Sequence, residues 1–228
     1  MYALSRFWQS TIGKKIVMAV TGIVGILFVL GHMSGNFLMF KGQGAMHDYA
    51  QLLRTSMPLL WAVRAGLIVA VVLHAVAAYQ LTMRSRAARP QDYAVKNPQV
   101  TTLAAKTIRW GGVLLLVFIV YHILHMTVGT VHPQFTHLDP YNNLSIGLRN
   151  PLVAGFYVLA MAALGLHLYH GGWAVMRTLG VARPSASPLK RRVALLLAIV
   201  VAAGFAAIPI ATLAGMFPEA PALQVETH

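Results

Sequence analysis

Five long apolar runs, separated by short polar and basic segments, divide the chain. They span about Ile16–Phe40, Leu59–Met83, Ile108–Val131, Pro151–Met176 and Val193–Phe217. Each is long enough to cross roughly 30 Å of hydrocarbon at about 1.5 Å rise per residue. Backbone polar groups in lipid must be satisfied within the protein, which leaves helices or a closed barrel. Barrel strands are about 10 residues long and alternate with period 2, a pattern that none of the runs has. The expected fold class is therefore all-α integral membrane: a five-transmembrane-helix bundle forming a single membrane domain over residues 1–228. Pro209 lies in the last run and predicts a kink, because proline removes one backbone donor.

The first run follows Lys14-Lys15, as the core of a signal peptide would. It is too long for one and lacks a small-residue cleavage site, so it reads as a mature span. The preceding segment Ser5–Lys15 holds Phe7, Trp8 and Ile12 among polar residues. It fits a short helix lying in the membrane interface or a plain flexible start. The stretches Lys41–Met57 and His132–Asn150 read as turn-rich loops, the second carrying Asp139-Pro140-Tyr141-Asn142-Asn143.

Composition agrees with the pattern: 57% of the 228 residues are apolar and 10% charged, with mean hydropathy +0.65. A soluble domain carries roughly 25% charged residues. The net charge of +13 raises nucleic acid as a partner, but that needs a basic soluble surface. Here the cations sit in gaps between spans, where they set topology. With five spans, 14 of the 18 lysines and arginines share the side of the N-terminus, against Lys41, Arg54, Arg64 and Arg149 on the other. The N-terminus is thus expected in the cytoplasm and the C-terminus outside. Cysteine is absent, which excludes disulfides, cysteine-ligated metal centres and thioether-attached haem.

Histidine carries the chemistry. Six of the ten histidines fall within the spans: His32 on the first, His74 on the second, His122 and His125 on the third, His167 and His170 on the fourth. Ionisable residues at membrane depth are costly and mark function. A single one has a packing reading, an interhelical hydrogen bond. Four consecutive spans carrying them weaken that reading. His32 lies ~25 Å and His122 ~20 Å from the cytoplasmic end at helical rise; His74 lies ~15 Å and His170 ~10 Å. Two levels, each joining two helices, suit two stacked haems with paired imidazole ligands. With both axial positions filled, such iron transfers electrons rather than binding oxygen. Depth leaves His122 and His125 open as alternatives, and residues three apart share nearly one helix face. His167 and His170 form a similar close pair.

Six stretches in order carry a family likeness. They are Ser10-Thr11-Ile12-Gly13-Lys14-Lys15 leading to Thr21-Gly22, Gly31-His32-Met33-Ser34-Gly35-Asn36, and His74 followed by Gln80-Leu81-Thr82 and Arg84–Pro90. The others are His122-Ile123-Leu124 with Thr127–Thr130, His132-Pro133 with Asp139-Pro140-Tyr141, and His170-Gly171-Gly172-Trp173 up to Gly180. In these the chain resembles the single-chain, five-helix, di-haem cytochrome b membrane anchor of succinate dehydrogenases and fumarate reductases, over nearly its whole length to Phe217. The resemblance implies two haem b groups, with His32 paired to His122 in an outer site and His74 to His170 in an inner one. It also implies a bacterial cell membrane location, a quinone substrate (menaquinone or ubiquinone), and flavoprotein and iron–sulfur partner subunits, with a higher oligomer of the complex open. Succinate chemistry would belong to the flavoprotein, since nothing in this chain binds flavin; whether quinone is reduced on this chain stays open.

Other site residues are weaker. His47 and Asp48, just after the first span, are candidates for a quinone site, with a satisfied loop turn as the alternative. Arg54, Arg64, Arg109 and Arg177 lie at depths suited to haem propionates, or simply snorkel. Tyr121 and Tyr169 neighbour the histidines, with packing as their default role. The pattern Gly22, Gly25, Gly31 and Gly35 permits close helix approach or makes room for a porphyrin face. The basic segments Arg84–Arg89 and Lys96–Arg109 suit an acidic partner, or topology alone. All five acidic residues (Asp48, Asp92, Asp139, Glu219 and Glu226) lie outside the runs, so a carboxylate relay through the membrane is not expected. His167 is a substitute proton carrier, testable by whether His167→Leu changes the pH and potential dependence. Two other classes remain: the cytochrome b subunit of another quinone-linked enzyme, such as a hydrogenase or formate dehydrogenase, and a haem-free transporter with buried histidines.

Overall fold

The computed structural model describes residues 2–88, 102–182 and 188–221. Arg89, Asp92, Lys96, Arg183 and Glu226, which entered the charge argument, lie outside the described residues. The chain is a multi-pass membrane protein with five helices long and apolar enough to cross a bilayer. Eight α-helices appear among the described residues: α1 (Tyr2–Gln9), α2 (Thr11–Asn36), α3 (Gln43–Arg54), α4 (Met57–Ala87), α5 (Leu103–Ile123), α6 (Pro140–Gly147), α7 (Pro151–Thr178) and α8 (Pro188–Leu213). A 3₁₀ turn (Phe37–Lys41) extends α2, and a π turn (Leu124–Val128) extends α5.

Local chemistry sets the helix starts. Ser10, Thr102, Asp139 and Asn150 accept hydrogen bonds from backbone N–H groups of the first turns of α2, α5, α6 and α7, satisfying donors that a helix leaves orphaned. Prolines in the first turns of α4, α6 and α7 need no donor there. The spans differ from the hydropathy boundaries for the same reason: α2 begins at its cap, five residues before the apolar run. Helix α8 continues through the buried Pro209.

The N-terminal segment is helical rather than a flexible start. Helix α1 breaks from α2 at Ser10, and a Cβ on Gly13 would stand 1.9 Å from the Phe7 carbonyl oxygen. Only glycine permits that turn. Lys14 is buried there, donating to the Trp8 carbonyl oxygen with its ammonium 4.7 Å above the Trp8 ring. A cation at the last carbonyls of α1 opposes the negative end of its dipole.

Helix α7 is central, packing on α8, α5 and α2, while α2 also packs on α4. The α7–α8 contact is close because Gly165 faces Ala198 and Ala202. Outside the bundle, Trp61, Ile68, Val69 and Val72 of α4 are exposed, the surface expected in lipid. The two segments read as loops contain α3 and α6. Together with the 3₁₀ turn and residues 214–221 they build a cap over one end. Its buried centre is polar: Asp139 accepts from Asn142 (2.7 Å) and Gln43 (3.1 Å), and Asn142 exchanges hydrogen bonds with the backbone of Ala220.

Candidate functional site

The helices bring the intramembrane histidines into two pairs of contacting rings. His32 of α2 meets His122 of α5 with ring centres 5.8 Å apart and planes at 82°. His74 of α4 meets His167 of α7 at 6.1 Å and 52°. The ring facing His74 is thus His167, not the His170 implied by the family resemblance. Residues three apart on a helix differ by about 60° in direction and about 4.5 Å in height, and α7 turns the earlier one inward. His170 is half-buried and makes no ring contact among the described residues. His125 does not face His32 either.

Each ring is held differently. His32 stacks on Phe28 (5.3 Å, 12°), and His122 stacks on Phe118 (5.6 Å, 27°). Nδ1 of His74 lies 3.0 Å from the Thr21 hydroxyl on α2. His167 has a buried Nδ1 with no protein partner. A Cβ on Gly22 or Gly112 would lie 3.6 Å from His74 Cε1 or 3.9 Å from His167 Cε1, so small residues flank the second pair on both sides.

Beside His167, a cavity of about 420 Å³ opens between α5 and α7, lined by Trp110, Gly111, Leu114, Ala162 and Leu166. Its wall is largely apolar, and no residue of α4 lines it. Two imidazoles on opposite sides of one metal ion have ring centres roughly 6 Å apart, given a metal–nitrogen bond of about 2 Å. Both pairs already stand at that separation. No group of three or more histidine or carboxylate side chains converges as a metal site among the described residues. Each pair offers two imidazole nitrogens as donors and no third protein ligand among the described residues, a donor set compatible with an axially ligated haem.

Sequence reasoning missed the arrangement around His125. That histidine sits in the π turn and is 1% exposed. Its Nδ1 is 2.9 Å from the Tyr157 hydroxyl, which is also 3.3 Å from His122 Nδ1. On its other side the His125 ring lies 5.0 Å from that of His132. His132 accepts from the Gln134 N–H at Nδ1 and donates from Nε2 to the Asn143 carbonyl, which fixes its neutral tautomer. Polar rings therefore run without a gap from His32 to the cap. Thr21 was legible only as part of a motif, and nothing local marked Tyr157.

The remaining predicted residues are placed as follows. His47 and Asp48 lie on α3 in the cap; His47 accepts from Gln51 at Nε2 (3.4 Å), its Nδ1 is buried without a partner, and Asp48 is exposed. Arg54, at the end of α3, donates to the Ala50 carbonyl. Burial, and then the neighbouring Arg64 charge, hold Arg54 below the usual arginine range. Two cations facing each other there favour an anion between them. Tyr169 accepts from Arg191 (2.7 Å), and Tyr121 stacks on His125. No family model, curated protein or solved structure matches the chain.

Proposed function

We propose that this chain is a di-haem cytochrome b membrane anchor of a succinate:quinone oxidoreductase, carrying electrons between a cytoplasmic iron–sulfur subunit and membrane quinone. The observation that carries this reading is the pair of histidine–histidine contacts, each bridging two helices at the separation two axial ligands need. The ligand pairs are His32 with His122 and His74 with His167; the motif resemblance favours His170 in place of His167. As a ligand, His167 is not free to carry protons. Haem iron held by two imidazoles supplies one-electron transfer.

The chain's own residues supply orientation and charge. Phe28 and Phe118 pack flat on the ligand rings and limit their rotation. Arg54 and Arg64 offer a positive patch for a carboxylate-bearing edge, and the small residues beside the second pair leave space for a ring face. The N-terminus and the basic segments face the cytoplasm of a bacterial cell, with α1 in the interface and an acidic iron–sulfur subunit docked on that side. The flavoprotein partner oxidises succinate or reduces fumarate.

The test is a reduced-minus-oxidised spectrum with pyridine haemochrome quantification on the partner-associated complex. Two b-type haems per chain are expected, with one lost in His74→Ala and one in His122→Ala. A colourless protein, or haem content indifferent to both substitutions, returns the histidines to packing or transport. A second experiment decides the inner ligand: His167→Ala should remove the same haem as His74→Ala, while His170→Ala should retain it.

A further inference from the structure

The proton positions around His74 can be counted. The Thr21 hydroxyl lies 2.7 Å from the Val17 carbonyl oxygen and 3.3 Å from that of Met18, both on its own helix. In helices threonine donates in this way to the carbonyl four residues back. A hydroxyl has one proton, and this one is committed to the backbone. Toward His74 Nδ1, 3.0 Å away, the oxygen can only accept. With the hydroxyl proton on Val17, Nδ1 would carry the hydrogen, and in a neutral imidazole Nε2 would keep its lone pair.

We infer that Thr21 is a positioning residue that locks His74 in the Nδ1–H tautomer, leaving Nε2 with its lone pair free to bind a metal. This rests on the reading of His74 as a ligand, and it adds the residue that makes it one. The hydroxyl belongs to α2 and the imidazole to α4, so the hydrogen bond also fixes the ring against rotation across a helix interface. Gly22, next along α2, lets the ring approach closely. Metal-bound histidines commonly donate their other N–H to an oxygen, which raises ligand basicity. At the first pair the Tyr157 hydroxyl lies between two imidazoles and its proton can serve only one. At Thr21 the hydroxyl is flanked by one imidazole and the carbonyls of Val17 and Met18 on its own helix.

The test uses the full-length chain in bilayers, labelled with ¹⁵N-histidine and prepared without haem, with the His74 signals identified by their loss in His74→Gln. Wild type and Thr21→Ser should show His74 with Nδ1 protonated and Nε2 bare. Thr21→Val, nearly the same shape without the acceptor, should show a mixture or the opposite tautomer. In the haem-loaded complex Thr21→Val should weaken retention of one haem by about 10–100-fold. It should also raise that haem's midpoint potential, because a less basic ligand stabilises the ferric state less; Thr21→Ser restores both. An Nε2–H tautomer in wild type, or an unchanged spectrum in Thr21→Val, overturns the inference. If wild type binds no haem, the ligand reading falls, and the nitrogen spectrum alone still decides whether Thr21 sets the tautomer.

Discussion

Tyr157 shows how one atom can organise a membrane interior. Its hydroxyl lies within hydrogen-bond reach of both His122 and His125, and its ring packs edge-on against Phe118 (5.0 Å, 86°). Tyr157→Phe keeps the ring and removes the oxygen, leaving the nearly inaccessible His125 without its Nδ1 partner. The expected cost is about 1–3 kcal/mol, the penalty of an unsatisfied buried polar group. It should appear as a lower thermal unfolding midpoint than wild type in the same detergent. A midpoint unchanged within error would show that His125 finds another partner. The histidines themselves were legible from the sequence because charge-capable residues inside apolar runs stand out. Tyr157 was not, since a tyrosine in such a run looks like packing until the opposing helix is in place. The choice between His167 and His170 was equally hidden: it depends on how α7 is rotated, which neighbouring helices decide.

At the scale of elements, the π turn after α5 is the feature hydropathy cannot reveal. The apolar run continues to about Val131, and a single helix is the natural reading. Instead the helix ends at Ile123, the next turn widens, and the Gly129 N–H closes it by bonding to the Leu124 carbonyl at 2.9 Å. This widening turns His125 toward Tyr157 and His132. π turns of this kind recur at functional sites. Gly129 ends it in the left-handed region at φ +84°, and a Cβ there would stand 2.3 Å from the Phe135 ring. Gly129→Ala should therefore cost at least the roughly 1–2 kcal/mol of the left-handed conformation, with a further loss as Phe135 is displaced. Thermal unfolding against wild type measures it, and a variant as stable as wild type would mean the turn can re-form without this geometry. The spanning helices were legible because length and apolarity are local sums. Helices α3 and α6 were not, because they are short and half polar and owe their form to the cap they build with residues 214–221.

For the whole molecule, the asymmetry of charge makes the strongest claim. Helix α4 has 31 residues, about 46 Å at helical rise, more than the ~30 Å hydrocarbon core. Both ends must then project into the headgroup regions or beyond. Arg84 and Arg86 stand at one end, and Ser56 opens the other without a side-chain capping bond. On the proposed orientation, the arginine end lies in the cytoplasm. Because the chain has no cysteine, a single introduced thiol reports one position without background. Ser56 and Ser85 are exposed at opposite ends of this one helix. Ser56→Cys should react with a membrane-impermeant maleimide in intact cells, and Ser85→Cys only after the membrane is opened. The reverse pattern would invert the bundle and put the proposed iron–sulfur contact on the wrong side for a cytoplasmic donor. Labelling of both from outside would remove α4 as a span, and with it the two-level arrangement of histidines. The expected result would set the His74–His167 pair toward the cytoplasm and the His32–His122 pair toward the cap, the order of the proposed electron path.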